Sequence, residues 1–462
     1  MARLSIEDVL KATGGELVGE HPAPLTGVSI DSRETEPGQL FIPLRGERTD
    51  GHEFIAHAME GGAGASLVEE GQRERWQGLG RPLVVVKDAL TALQDLAAYW
   101  RGGLGARVIG ITGSNGKTTT KDMLAAILSR MGSTLKSPGN YNNEIGLPLT
   151  LLQADAQHDY VVLEMGMRGL GEIRHLTSIA RPCVGVVTNV GQVHLELLGS
   201  LENIARAKGE LVEALGAKGI AVLNADDQRV AAMGANHQGR IVCYGVGGGD
   251  VRAREIKEGP RALGFTLYGT PFPHDVKVSV GIPGRHNVHN ALAAAACAAA
   301  LGADPEAITA GLASFEPTEM RLQIEELPCG ATVLNDAYNA SPASMQAALE
   351  TLRNLAAGFK IAVLGDMLEL GPQTVQLHRA VGKTAAAIVD YLVVVGPLGA
   401  EIAQGALSAG LSNKQVAICS DNRAVLEQVA SILRPGVTVL VKGSRGMRLE
   451  EIVEGLRKGL VP

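Results

Sequence analysis

One stretch of this 462-residue chain carries chemistry in its spacing alone: Ile109-Gly-Ile-Thr-Gly-Ser-Asn-Gly-Lys-Thr-Thr-Thr120. An apolar run enters a glycine-rich turn, and the turn ends in Lys-Thr at the head of an amphipathic segment. Such a turn binds phosphate. The backbone N–H groups of Gly113, Ser114, Asn115 and Gly116, and of the helix start at Lys117, Thr118 and Thr119, point at phosphate oxygens. The Lys117 ammonium meets the terminal phosphates, and the Thr118 hydroxyl can ligate Mg²⁺. The loop departs from the common G-x-x-x-x-G-K-[ST] spacing: Ile111 stands where the first glycine belongs, and Gly113 opens a more compact turn. A plain glycine-rich turn is the alternative, but strand, loop, Lys-Thr and helix agree against it.

Further polar residues sit where ligands gather. Glu164 ends the apolar run Tyr160-Val-Val-Leu-Glu, and the carboxyl ends of parallel strands are where open α/β sheets bind ligands, so an acid there suits a cation. An ordinary strand-end acid is the alternative. Thr188 and Asn189 follow another strand-like run, with His194 five residues beyond Asn189; a lone loop histidine often does no more than fill a hydrogen bond. Lys208, in Ala205-Arg-Ala-Lys-Gly-Glu210, taken alone is a helix-surface lysine. Asn140-Tyr-Asn-Asn143 brings several amides, among them Asn142 and Asn143, into one loop, suited to a polar sugar or an amide, although Asn-rich loops are commonly just turns. Asn335-Asp-Ala-Tyr-Asn339 puts Asp336, Tyr338 and Asn339 at a further strand end, which by the same crevice rule faces the phosphate loop.

The elements that position these residues read as an α/β chain of three domains. Residues 1–85 mix short strand-like runs, such as residues 38–45, with a small-residue helix near residues 55–62, and form a small N-terminal α/β domain. Residues 86–314 alternate buried strands and helices, the rhythm of a parallel sheet with helical crossovers. Within them the spacing predicts a helix over residues 118–131, with Met123, Leu124, Ile127, Leu128 and Met131 on one stripe. Residues 250–283 switch to period two and predict an antiparallel patch, preceded by the flexible-looking Gly245-Val-Gly-Gly-Gly249. Residues 315–462 alternate again and predict a Rossmann-like C-terminal domain.

Composition excludes several functions. The formal charge of -7, from 42 basic and 49 acidic residues, gives no general attraction to nucleic acid, and 3% aromatic residues leave few stacking surfaces. Five scattered cysteines without a C-x-x-C pair argue against a disulfide framework or a zinc site. Glu7 and Asp8 interrupt any leader-like run, and the apolar residues 291–301 are too few to span a bilayer and read as a buried helix. A cytoplasmic, monomeric protein without membrane insertion is expected.

Together the compact phosphate loop, Asn140-Tyr-Asn-Asn-Glu-Ile-Gly-Leu-Pro148, Glu164-Met-Gly-Met-Arg-Gly, Thr188-Asn-Val-Gly-Gln-Val-His-Leu-Glu and Ala205-Arg-Ala-Lys-Gly-Glu210 resemble the Mur ligases. Gly284-Arg-His-Asn-Val-His-Asn290, Asn335-Asp-Ala-Tyr-Asn-Ala-Ser-Pro342, Leu364-Gly-Asp-Met-Leu-Glu-Leu-Gly371 and Lys442-Gly-Ser-Arg-Gly-Met447 extend the likeness over nearly the whole chain. The last two are similar to those of the members that add D-alanyl-D-alanine to UDP-N-acetylmuramoyl-tripeptide. The Asp-Asn-Pro-Arg stretch of the diaminopimelate-adding members is missing, and Ser341 stands where the family has Asn.

The resemblance implies an ATP- and Mg²⁺-dependent ligase working through an acyl phosphate. It implies one Mg²⁺ on Thr118 and Glu164, and a second on His194 and a carbamylated Lys208, with Lys117 on the ATP phosphates. Asn287, Asn290, Arg321 and Asp336 would line the nucleotide, and Asp31, Ser32, Arg33 and Arg45 the uridine phosphates. Two other readings compete. A phosphate-loop switch or motor would lack the third domain, and a folylpolyglutamate synthetase-like ligase would lack the first domain with Asp31-Ser-Arg33.

Overall fold

Runs of buried β-branched residues, each followed by an amphipathic helix, build three sheets in the computed structural model, which describes residues 2–459. The first sheet has five strands in the order Glu16–Val18, Leu83–Val86, Ala65–Glu69, Leu40–Phe41 and Val28–Ser29. Its neighbours are parallel except at the Glu16–Val18 edge. The strand-like stretch at residues 38–45 shrinks to Leu40–Phe41, since Pro43 has no N–H to extend a ladder.

The central sheet has nine strands. Arg107–Thr112 lies between Tyr160–Glu164 and Val184–Val187, all three parallel. Beyond them the sheet runs through Ile220–Asn224 and Arg240–Gly245 to the antiparallel strands Val251–Glu258, Leu263–Gly269 and Val276–Val280. The glycine-rich stretch before this patch is tied down, because Asp226 accepts hydrogen bonds from the Val246 and Gly247 N–H groups at 2.6 and 3.0 Å.

The helix after the phosphate loop spans Lys117–Leu128 and buries Met123, Leu124, Ile127 and Leu128 completely. Met131 falls in the turn past its end, only partly buried. Its neighbour Asn287–Ala300 is buried from Ala291 to Ala298, the small side chains letting two helices and the sheet close around it. Among the described residues no helix is long and apolar enough to cross a membrane.

The third sheet has six strands. Thr332–Asn335, Thr438–Lys442, Lys360–Leu364, Tyr391–Val395 and Val416–Cys419 are parallel, with Gln323–Glu326 antiparallel at one edge. Two of the buried apolar clusters cross from one sheet to the next. One buried apolar cluster joins Leu67 and Leu93 to Leu163 and Leu211, and another joins Ile127 and Val288 to Met345 and Leu364.

The helix Lys117–Leu128 carries the phosphate loop at its head, so loosening its seat should cost stability first. Leu124→Ala should lower the unfolding free energy by ~2–5 kcal/mol, read by denaturant titration. A change near zero would show that this face is not the seat.

Candidate active site

Strand register decides what the phosphate loop meets. Ile111 pairs with Glu164 on one side and Thr112 with Val187 on the other, so the loop emerges between an acid and Thr188. The approach to Thr188 is so close that a Cβ on Gly113, at φ +152°, would lie 1.8 Å from the Thr188 Oγ1. Thr188 and Asn189 brace the loop itself. The Asn115 carbonyl accepts from Thr188 Oγ1 at 2.7 Å and Asn189 Nδ2 at 3.0 Å, and the Asn115 N–H donates to Asn189 Oδ1 at 2.9 Å. The Lys117 ammonium folds back to donate to the Gly113 carbonyl at 2.8 Å. Burial holds Lys117 below its ordinary pKa, with Glu164 pulling the other way and Arg321 adding to the depression.

Glu164 is buried, and both its oxygens are engaged. Thr118 Oγ1 donates to Oε2 at 2.7 Å, and Asn142 Nδ2 donates to Oε1 at 2.8 Å. Asn143 turns away and accepts from the Gly146 N–H at 2.9 Å, closing its own turn. Lys208 is not the surface lysine that its helix alone suggests: it is 2% exposed and borders the same cavity. Burial, and then the like charge of Lys117, push its pKa well below the ordinary lysine value. His194, in the left-handed region at φ 52°, donates from Nδ1 to Glu369 of the third domain. Burial lowers the His194 pKa despite that carboxylate.

The third domain supplies the opposite wall. Asp336 receives the Lys442 ammonium at 2.5 Å, and Lys442 also donates to the Asn339 carbonyl at 2.9 Å. The Arg321 guanidinium lies 4.2 Å from the Tyr338 ring centre, and its Nε is buried without a partner. Asn290 donates to Asn287 Oδ1 at 2.8 Å beside the phosphate loop. Ser341 caps the helix Pro342–Leu355, and its hydroxyl donates to Asn115 Oδ1 at 3.0 Å, a bond between domains.

One cavity of about 1450 Å³ gathers Gly113, Ser114, Asn115, Gly116, Lys117, Thr118, Thr119, Glu164, His194 and Lys208 from the central domain. Asn142, Asn143, Asn189, Asn287 and Asn290 join them, with Arg321, Asp336, Tyr338 and Asn339 from the facing side. Thr188 opens instead on a smaller adjoining pocket of about 270 Å³. Asp31, Ser32, Arg33 and Arg45 border neither. Arg33 bonds to Asp31 at 2.5 Å and holds its carboxyl down to about 2, while Arg45 pairs with Glu69 at 2.7 Å.

Among the described residues no three His, Cys, Asp or Glu side chains form a metal cluster. The adjoining Thr118 hydroxyl and Glu164 carboxylate are nevertheless the oxygen donors that Mg²⁺ prefers, with remaining positions left for phosphate oxygens and water.

Sequence reasoning missed four residues. Glu369 and Lys442 lay inside motifs quoted whole, and Ser341 was noted only as a departure. Glu210 accepts from the Gly171 and Arg174 N–H groups at 2.7 and 3.0 Å, tying the Lys208 helix to the head of Glu172–Ala180. Its signal was its place two residues after Lys208.

Residues 24–101 match the family described as Mur ligase family, catalytic domain. Residues 111–298 match the Mur ligase middle domain, and residues 320–445 the Mur ligase, glutamate ligase domain. The UDP-N-acetylmuramoyl-tripeptide–D-alanyl-D-alanine ligase of Bacillus subtilis is 38% identical over 461 residues, 99% of each chain. The chain belongs to the Mur ligase family. MurF from Acinetobacter baumannii has the same fold at a TM-score of 0.89 and 32% identity over 99% of each chain. MurF from Thermotoga maritima, solved in complex with ADP, matches at a TM-score of 0.80 and 30% identity, covering 94% of this chain and 97% of that one. This Mur ligase is therefore an ATP-dependent ligase with the family's three-domain α/β fold.

The closeness of Gly113 to Thr188 gives a direct check on the phosphate loop of this Mur ligase. Gly113→Ala must displace the loop, at a cost of order 1–3 kcal/mol, and should weaken ADP binding about tenfold or more in calorimetry with the melting temperature nearly kept. Parental ADP affinity would mean that the loop does not hold the nucleotide.

Proposed function

We propose that this Mur ligase joins D-alanyl-D-alanine to UDP-N-acetylmuramoyl-tripeptide in the cytoplasm, as a monomer, forming ADP and phosphate in the synthesis of peptidoglycan. The observation that carries the reading is end-to-end identity of 38% to a relative of that activity. The stretches that distinguish such members, around Leu368–Leu370 and Ser444–Gly446, border the phosphate-loop cavity in this chain, which adds support.

An amine does not usefully attack a carboxylate anion, so the carboxylate must first gain a leaving group. The terminal carboxylate oxygen of the tripeptide attacks the γ-phosphorus of ATP, the bond to the β-phosphate oxygen breaks, and ADP leaves. The amine of D-alanyl-D-alanine then attacks the acyl carbon, loses a proton, and displaces phosphate. Lys117 exchanges the Gly113 carbonyl for the terminal phosphates and carries positive charge to where negative charge builds. Arg321, stacked on Tyr338 with a free Nε, is suited to the same anions, with Asp336, Asn287 and Asn290 on the nucleoside side. Asn142, Asn143, Tyr338 and Asn339 border the peptide, while Asp31, Ser32, Arg33 and Arg45 hold the uridine phosphates at its far end.

Mg²⁺ on Thr118 and Glu164, and a second on His194 and modified Lys208, would screen the two anions brought together. Lys208 suits carbamylation because its amine is buried, depressed in pKa and faced by a like charge. The neutral amine adds to CO₂ with loss of a proton, giving an anionic oxygen ligand in place of a cation that would repel the metal.

Phosphate release should require UDP-tripeptide and D-alanyl-D-alanine together. Release independent of both would favour a hydrolytic switch, and a requirement for a folate acceptor would favour the folylpolyglutamate-type ligase. Lys117→Ala should cut ligation by roughly 10²–10³-fold and leave UDP-tripeptide binding, read by calorimetry, unchanged.

Activity of the parent should fall on thorough CO₂ depletion and return with bicarbonate, whereas Lys208→Arg should be poorly active and indifferent to bicarbonate. A parent enzyme that ignores CO₂ depletion, together with a Lys208→Ala variant of normal turnover, would overturn the carbamate.

A further inference from the structure

Seven non-glycine residues of the described chain have positive φ, and two of them, His194 at 52° and Glu369 at 62°, touch each other. They lie 175 positions apart and belong to different domains. Residues of this kind cost conformational energy and persist only where their surroundings impose it, so their meeting asks for a reason.

The contact is built from both sides. The backbone is pinned, with the Glu196 N–H donating to the Glu369 carbonyl at 3.4 Å. The Glu369 side chain divides its oxygens, Oε2 accepting from His194 Nδ1 and Oε1 lying 3.5 Å from the Arg168 guanidinium. Nearby, Gln192 Nε2 donates to Gln373 Oε1 at 3.3 Å, a third bond between the same two segments. His194, Glu369 and Arg168 all border the cavity that holds the phosphate loop.

The consequence for His194 follows from its two nitrogens. A carboxylate accepts hydrogen bonds, so Nδ1 carries the hydrogen and Nε2 keeps its lone pair. A carboxylate on the second nitrogen of a ligating histidine fixes the tautomer and the ring angle and makes the free nitrogen a better donor. Here that carboxylate comes from another domain.

We infer that Glu369 is the positioning residue for His194, delivered across the domain boundary, so that His194 is oriented for the metal only while the C-terminal domain is docked on the central one. This rests on the proposed ligand role of His194. An ordinary ion pair between domains would need neither the left-handed backbone at both residues nor a place on the wall of the phosphate-loop cavity.

The test is Mn²⁺ binding by electron paramagnetic resonance on the full-length enzyme with ADP, comparing the parent with His194→Ala, Glu369→Ala and Glu369→Gln, with a melting curve for each. The His194-dependent ion should bind roughly 10–100-fold more weakly in Glu369→Ala. It should weaken less in Glu369→Gln, whose amide oxygen still accepts from Nδ1, and Glu369→Ala should add nothing in the His194→Ala background. In turnover, kcat should fall while the KM for ATP stays near the parent's. Parental Mn²⁺ binding in a folded Glu369→Ala, with His194→Ala impaired, would overturn the positioning role and leave the metal assignment standing. Parental binding in His194→Ala would instead remove the metal ligand, and the inference with it.

Discussion

The hydrogen-bond ladder among Tyr160–Glu164, Arg107–Thr112 and Val184–Val187 is the constraint on which the cleft depends. Side chains along a strand alternate between faces, so a slip of one residue would send Glu164 to the wrong side of the sheet and part Gly113 from Thr188. The slip is prevented by burial on both faces: Ile109, Ile111, Val161, Val162, Leu163, Val184 and Val186 are all fully enclosed. Thr118, in the first turn of the helix after the loop, reaches Glu164 only because that register holds.

Charge inside the cleft follows from the same geometry. Lys117 and Lys208 both lose water; the charge of Lys117 then adds to the depression of Lys208, and that of Arg321 to the depression of Lys117. The acid facing Lys117, Glu164, is shared with a hydroxyl and an amide. Lys117 and Arg321 set positive charge beside the phosphate loop whatever the molecule's net charge of -7. On the facing wall Asp336 is neutralised by Lys442, which fixes the turn carrying Tyr338 and Asn339 and removes an uncompensated carboxylate from the path of phosphates.

What could be read from the sequence was local. The phosphate loop, the strand-end position of Glu164, the helix over most of residues 118–131 and the antiparallel patch all depend on neighbours within a few residues, and periodicity records such neighbours. Lys208 was different, since its helix pattern gives no hint that another element covers it; only the resemblance to a family drew attention to it. Glu369 and Ser341 carried no signal of their own. Their partners, His194 and Asn115, lie 175 and 226 positions away, and no spacing rule spans two domains. The short strand Leu40–Phe41 and the anchored glycine stretch at residues 245–249 were misjudged for a related reason, one ended by a proline and the other tied by the distant Asp226.

Two bonds between domains, Ser341 to Asn115 and Glu369 to His194, reach the cleft from the same facing domain. Behind them Thr318 bonds to Asp122 on the phosphate-loop helix. An acyl phosphate left in water hydrolyses, so a ligase that makes one must keep water out until the amine arrives. A bond from the docked domain to the phosphate loop, and another to His194 on the cavity wall, tie the loop to the docked arrangement. On the proposed function the uridine end, assigned to Asp31, Ser32, Arg33 and Arg45 outside both pockets, would bind while the reacting end waits for closure. Such a division would let a long substrate be recognised by its sugar nucleotide and yet be activated only where both domains meet.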